Sequence, residues 1–289
     1  MKKFSYYKPT TIKDALHISE THNFRVCYLA GGTDLLVRLK NNQLNTTAVI
    51  DLKNIGGIGK NILLQEHHLE IGALALLSDI VENKTIRRQF SALREAVSSI
   101  GSVQIRNRAT LGGNICNASP AADSLPPLYV YNAQVKLVSN DGSREIPIDE
   151  FILGPGRTAL KKNEFVSLIR LPIPKKNQAT SFDRLTRRRG VDLATINICC
   201  QVFDSGEVRF SVGAAAPVPF IVSDSSGILM SNAPKIKKLA VIHELMQTAS
   251  PIDDVRASKI YRQKMLSVLA LRTLKQSIEL LQNQAKENK

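Results

Sequence analysis

Along the first hundred residues the spacing of apolar positions alternates between helical and extended periods. Ile12, Ala15, Leu16 and Ile18 recur at helical spacing behind Thr10-Thr11, with Asp14 placed to complete a capping box, so a short amphipathic helix fraying near Asn23 is expected. Residues 25–30 (RVCYLA) read as a buried strand running straight into Gly31-Gly32-Thr33-Asp34-Leu35. Residues 48–52 form a second short strand, and 62–64 with 68–72 a hairpin around Gln65-Glu66-His67. Helical patterns over 76–82 and 88–99 follow, the latter turning Phe90, Leu93, Ala96, Val97 and Ile100 toward a core.

The periodicity then lapses. Residues 104–123 (QIRNRATLGGNICNASPAAD) read as no core helix: a polar and basic approach leads to Gly112-Gly113, then to small and amide residues ending on Asp123. Paired glycines let a backbone approach a ligand closely and turn successive N–H groups toward phosphate. They are equally at home in a tight turn between two elements, and both readings stand. The same choice holds at Gly31-Gly32, where Thr33 offers a hydroxyl and Asp34 either a ligand carboxylate or a helix cap. Gly31-Gly32 belongs neither to the G-x-G-x-x-G dinucleotide fingerprint nor to a P-loop.

After Asp123 a helix is expected over 125–131, with Pro126 and Pro127 in its first turn, where a missing N–H matters least. Residues 133–139 and 144–147 make a hairpin about Asn140-Asp141-Gly142, Gly154-Pro155-Gly156-Arg157-Thr158 a third glycine-rich loop, and 164–171 a strand. Pro172, Pro174 and Lys175-Lys176-Asn177 read as a linker. Beyond it come strands over 181–186, 194–203 and 207–214 and helices over 236–248 and 254–282, an α+β arrangement.

At 289 residues, two or three domains are expected, and 43% hydrophobic with 22% charged residues is an ordinary globular composition. The first nine residues lack an apolar h-region and no later run approaches a membrane span, so a cytoplasmic protein is expected. Cys27, Cys116, Cys199 and Cys200 have no C-x-x-C spacing, and the histidines no H-E-x-x-H pattern, so no metal is expected on this chain. The formal net charge of +14 is dispersed over Lys161-Lys162, Lys175-Lys176, Arg187-Arg188-Arg189 and Lys235, Lys237 and Lys238. Without a nucleic-acid-binding signature it reads as solvated surface or as complementary to an acidic partner.

Taken together, Leu29-Ala30-Gly31-Gly32-Thr33-Asp34-Leu35 and Thr110-Leu111-Gly112-Gly113-Asn114 resemble the paired signatures of the FAD-binding subunits of molybdenum hydroxylases. Gln104-Ile105-Arg106-Asn107, Asn114-Ile115-Cys116-Asn117, residues 119–124, Gly154-Pro155-Gly156 and Ser181-Phe182 extend the resemblance, over essentially the whole chain, to the separate flavoprotein subunit of bacterial xanthine dehydrogenases. It implies an α+β fold: a two-lobed FAD-binding domain of the vanillyl-alcohol oxidase (PCMH) type at 1–174, with lobe 1 about 1–58 and lobe 2 about 59–174. A CO-dehydrogenase-flavoprotein-like domain with a small antiparallel sheet and helices follows at 175–289.

The resemblance also implies FAD between the lobes with its pyrophosphate on both Gly-Gly loops. Cys27, Tyr28, Leu29, Ala30, Gly31, Gly32, Thr33, Asp34 and Leu35 would contact it from one side, and Ala109, Thr110, Leu111, Gly112, Gly113 and Asn114 from the other. Asp123 matches a carboxylate on the adenosine ribose and Val166 an apolar contact. Arg184, or Asp183 with a shift of one, matches a residue near the flavin ring, and Ile100 stands in place of an aromatic. On this reading Val at position 112 would fill the space of the diphosphate. The implied role is electron transfer, with no catalytic acid or base on this chain. Molybdopterin would lie on a large partner subunit and [2Fe–2S] clusters on a small one, since four cluster ligands are missing here. NAD⁺ would be the acceptor, its phosphates drawn by the Arg187-Arg188-Arg189 run unless that run is merely solvated. A stand-alone flavin oxidoreductase of the same fold would need a positioned acid–base set, and a basic nucleic-acid-binding protein would bind no flavin.

Overall fold

Three main sheets and one small two-stranded sheet occur among the described residues of the computed structural model, which are 2–175, 177–188 and 190–287. The first contains β1 (Ser5–Tyr7), β2 (Val26–Leu29) and β3 (Ala48–Asp51), all parallel with β3 in the centre, joined through α1 (Ile12–Thr21) and α2 (Leu35–Lys40). Thr11 caps α1 by accepting the Asp14 N–H at 3.1 Å, and Ala15 and Leu16 are buried, as the periodicity predicts.

The second lobe opens with the hairpin β4 (Ile62–Leu64) and β5 (His68–Gly72), followed by α3 (Leu77–Glu82), α4 (Lys84–Gln89), α5 (Ser91–Ser98), α6 (Val103–Arg106), α7 (Leu111–Asn117) and α8 (Leu125–Val130). It continues with β6 (Gln134–Ser139), β7 (Gly142–Pro147), α9 (Ile148–Phe151), β8 (Ile152–Gly154), β9 (Arg157–Thr158) and β10 (Phe165–Pro172). Its main sheet is antiparallel in the order β4-β5-β10-β6-β7. The helix expected over 88–99 is two helices. Phe90 leaves the helical conformation (φ −129°, ψ 49°) and buries its ring edge-on against Tyr131, with ring centroids 5.1 Å apart. Core packing of one aromatic overrides the local helical pattern.

The last sheet is antiparallel, β11 (Gln178–Leu185), β12 (Ile196–Phe203), β13 (Val208–Gly213) and β14 (Phe220–Asp224), followed by α10 (Lys235–Leu245) and α11 (Lys259–Glu287). Residues 196–202 of β12 are all buried because α8 packs on one face and α11 on the other. Arg262, only 1% exposed, ties α11 to this sheet by donating to the Thr195 carbonyl at 2.9 Å and the Ala214 carbonyl at 3.0 Å. Strand β14 was not evident from the sequence. Lys176 of the expected linker lies outside the described residues. Among the described residues no helix is long and apolar enough to cross a membrane.

Candidate cofactor cleft

The loop leaving β2 departs from extended geometry at Gly32, whose φ of +79° suits glycine. Among the described residues the backbone N–H groups of Gly31, Gly32, Thr33, Asp34 and Leu35 donate no hydrogen bond; the helical ladder begins with Leu36 N on Gly32 O at 3.0 Å. Gly31, Gly32, Thr33 and Leu35 are half-buried and Asp34 is exposed, so their N–H groups are open to whatever occupies the cleft, and five successive unpaired amides form a receptor for anionic oxygen. Gly31 itself serves packing. A Cβ there would lie 2.1 Å from the Arg108 carbonyl oxygen and 2.9 Å from the Ala109 Cα, so its lack of a side chain lets the two lobes meet.

The second glycine pair is arranged differently. Gly112 and Gly113 lie in the first turn of α7, capped by Thr110, and every N–H of that turn is already satisfied. Leu111 N donates to Ala75 O (3.2 Å), Gly112 N to Ala73 O (2.9 Å) and Asn114 N to Thr110 O (2.9 Å). Gly113 N donates to Thr110 Oγ1 at 3.1 Å. Gly112 is buried, and its missing Cβ would lie 2.6 Å from Ala73 O. On this side of the cleft Thr110, Gly113, Asn114, Cys116 and Asn117 line the cavity, whereas the unpaired lining amides are those of residues 31–35.

Between the two walls lies a cavity of about 190 Å³ lined by Tyr28, Ala30, Gly31, Gly32, Thr33, Asp34, Leu35, Arg38, Ala109, Thr110, Gly113, Asn114, Cys116 and Asn117. Through Tyr28, Ala30, Gly113 and Cys116 it joins a mostly apolar arm of about 240 Å³, lined also by Leu52, Ile58, Leu74, Gly112, Phe165 and Val166. Tyr28 sets the corner: its ring meets Phe165 edge-on at 4.9 Å and its hydroxyl donates to Ser19 Oγ at 2.9 Å. Burial pushes the Cys116 thiol up to about 12, so at neutral pH this wall carries no thiolate. Unpaired amides, one lining cation and an apolar arm fit the diphosphate and an aromatic end of a dinucleotide.

Of the other expected contacts, Cys27 and Leu29 pack in a small cluster with Val49 and Leu39 behind the loop, and Leu111 is fully buried. Asp123 and Arg184 lie apart from the cavity and bond each other, Arg184 Nη1 to Asp123 Oδ2 at 2.7 Å. Asn197 Nδ2 at 2.8 Å and Ser99 Oγ at 3.3 Å complete the donors to this buried carboxylate. The direct ion pair brings together the two residues expected at the ribose and near the flavin ring. Ser99, which also bonds Asp123, brings neighbouring Ile100 close to this pair. Asp183 accepts from Arg272 of α11 at 2.8 Å, so Arg184 is the residue of this pair that faces Asp123. Sequence reasoning missed Arg38, Cys116 and Asn117 as lining residues; the spacing of Arg38, one helical turn after Asp34, was its only local signal.

A two-lobed α+β domain with such a cleft at the lobe junction, followed by a sheet-and-helix domain, defines the chain as a dinucleotide-cofactor carrier. Residues 2–174 match the family described as the FAD binding domain in molybdopterin dehydrogenase, and residues 181–277 match the CO dehydrogenase flavoprotein C-terminal domain. The chain is 30% identical over 280 residues to the xanthine dehydrogenase FAD-binding subunit of Escherichia coli O157:H7, covering 95% of this chain and 96% of that one. It is 30% identical over 214 residues to the nicotinate dehydrogenase FAD-subunit of Eubacterium barkeri, covering 71% of each. In fold it is similar to the carbon monoxide dehydrogenase of Hydrogenophaga pseudoflava, with a TM-score of 0.88 at 24% identity over 96% of this chain and 97% of that one. Quinoline 2-oxidoreductase from Pseudomonas putida 86 gives a TM-score of 0.88 at 22% identity over 97% and 99%. The chain therefore belongs to the family of FAD-binding subunits of molybdopterin dehydrogenases.

Proposed function

We propose that this chain is the FAD-carrying electron-transfer subunit of a multi-subunit, xanthine dehydrogenase-like molybdenum hydroxylase. Electrons would arrive from the [2Fe–2S] clusters of a small partner subunit, after substrate oxidation on a large molybdenum-cofactor subunit, and leave to NAD⁺. The observation that carries this reading is the run of unpaired amides from Gly31 to Leu35, facing a cleft between lobes in a chain of this family. Bound FAD supplies a carrier able to exchange electrons singly or in pairs.

The residues of the chain bind and orient. Amides 31–35 would hold the diphosphate, Asn114 and Asn117 would bond polar atoms along the opposite wall, and the arm ending at Val166 would exclude water from one aromatic end. Ser124 Oγ donates to Asn114 Oδ1 at 2.5 Å, fixing that amide and linking the cleft wall to neighbouring Asp123. The Asp123–Arg184 pair would set the potential at the other end. Arg184 Nη1 also holds the Asp192 carbonyl at 3.1 Å. Arg187 and Arg188 follow in the same segment, both exposed and both near Asp192 Oδ2, at 3.9 and 3.7 Å, with Arg187 Nη1 also donating to the Val255 carbonyl at 2.9 Å; nucleotide phosphates would compete with these partners for them. Arg189 lies outside the described residues. Co-purification with a large and a small subunit, an oxidised-flavin absorption spectrum and xanthine-dependent NAD⁺ reduction are the expected results. Reduction of artificial dyes by xanthine without NAD⁺ reduction would overturn the acceptor, and inertness toward xanthine alongside activity on another heterocycle would overturn the substrate.

A further inference from the structure

We infer that Arg38 is a further cofactor-binding residue of this chain, one that supplies the positive charge opposite the cofactor's diphosphate. The inference rests on the placement of FAD in the cleft between Gly31–Leu35 and α7. Every other group lining the central cavity is neutral except Asp34, so the site holds one carboxylate and one guanidinium. Arg38 N donates to Asp34 O at 3.0 Å, one helical turn apart, which puts both side chains on the same stripe of α2 and at the same cavity. Among the described residues Arg38 has no carboxylate partner: it forms no ion pair with Asp34 or any other acid, unlike Arg144, Arg170, Arg184 and Arg262, which are all paired.

An unpaired guanidinium at a cavity walled by unpaired amides is complementary to a pair of phosphate oxygens, which its planar fork can bond together. The need for it follows from Asp34. Amide dipoles hold a diphosphate well, but a carboxylate in the same cavity opposes its charge, and only Arg38 among the lining groups can offset that opposition. Because Arg38 is exposed, its contribution is screened by salt. Lys can replace the charge at this position but not the two-pronged donor geometry.

The test is titration of the full chain, stripped of flavin, with FAD and with riboflavin, which carries no phosphate, followed by flavin fluorescence at low and high salt. Arg38→Gln is expected to weaken FAD binding about tenfold or more at low ionic strength, with a difference that shrinks as salt rises, while riboflavin binding stays unchanged. Arg38→Lys should recover part of the loss. FAD affinity in Arg38→Gln equal to that of the unaltered chain at low salt, or an equal loss for FAD and riboflavin, would overturn the inference. Thr33→Asp, which adds a second carboxylate to the amide loop, separates the two levels of the argument. If it impairs FAD binding and Arg38→Gln does not, the cleft stands and the role of Arg38 falls. If neither variant changes affinity, the diphosphate lies elsewhere. Unchanged thermal unfolding midpoints of the apoproteins establish that each variant is folded.

Discussion

Added as a methyl to Gly112, a Cβ would sit 2.6 Å from Ala73 O, 2.7 Å from Ala73 Cβ and 2.9 Å from Ala73 Cα. These are atoms of the protein, most of them backbone that cannot rotate away. Gly112→Ala is therefore expected to act on folding, lowering stability by roughly 1–3 kcal/mol as overpacking does, with flavin lost only in proportion to the unfolded fraction. Urea unfolding of the apoprotein checks this: an unchanged midpoint with abolished FAD binding would restore the reading in which that glycine makes room for phosphate. Gly31 obeys the same logic at the lobe junction, whereas Gly32 is needed for its left-handed backbone. The side-chain-free Cα of these glycines thus does two jobs in the cleft, close approach and turning; in the proposed function the backbone N–H groups of Gly31 and Gly32 would meet the anion together with those of residues 33–35.

Strand β10 carries Phe165 and Val166 into the apolar arm, and its entry is fixed by one carboxylate. Glu164 accepts Arg144 Nε at 2.7 Å, Arg144 Nη2 at 2.8 Å and the Lys161 N–H at 2.9 Å. The Arg144 fork, against the opposing effect of burial and with help from the Lys161 N–H, holds this carboxyl below the usual carboxylate range. The folded state then binds the proton less readily than the unfolded chain, whose glutamate titrates near about 4.3. The stabilisation is present above that pH and is lost as the pH falls through the lower folded value. Glu164→Gln should be less stable at neutral pH and show a shallower loss of stability below about pH 4.3, measured as denaturant midpoints across the acid limb; an acid limb identical to that of the unaltered chain would exclude this pair as a source of the pH dependence. At this scale much was legible beforehand. The Thr11–Asp14 cap, the Asn140-Asp141-Gly142 hairpin and the first three strands of the last sheet follow from local pattern. Helix α7 did not, because two glycines disfavour a helix in isolation and only contact with Ala73 and Ala75 fixes it. The pairing of Asp123 with Arg184 spans sixty-one positions and leaves no local trace.

The proline-rich boundary near residue 174 does not cut cleanly between cores: the C-terminal sheet has a core of its own with α10 and α11, yet it also completes that of the second lobe. Phe182 and Cys199, from β11 and β12, belong to the same buried cluster as Phe90, Leu93 and Tyr131 of the second lobe. Polar contacts cross the same seam: Tyr131 Oη with Thr180 Oγ1 at 2.6 Å, Phe182 N to Glu95 Oε2 at 3.0 Å, and Ala214 N to Pro120 O at 2.8 Å. Asp123 draws two of its three donors, Arg184 and Asn197, from the C-terminal sheet. Removing that sheet would strip a buried carboxylate of its cation and expose apolar surface of the lobe that forms the cleft wall, and an uncompensated buried charge alone costs about 3–5 kcal/mol. That is a large share of the total stability of an ordinary domain. A 1–174 fragment expressed alone is therefore expected to be aggregated or to lack a cooperative thermal transition, and to bind no FAD. Co-expression with 175–289 should restore both, because the missing donors and apolar partners return in trans. A cooperative melt with FAD binding by the isolated fragment would show that the seam is dispensable. In the expected case, the C-terminal domain completes the cofactor-bearing fold, and a substitution at Arg184 or Asn197 reaches the cleft wall through Asp123, Ser124 and Asn114.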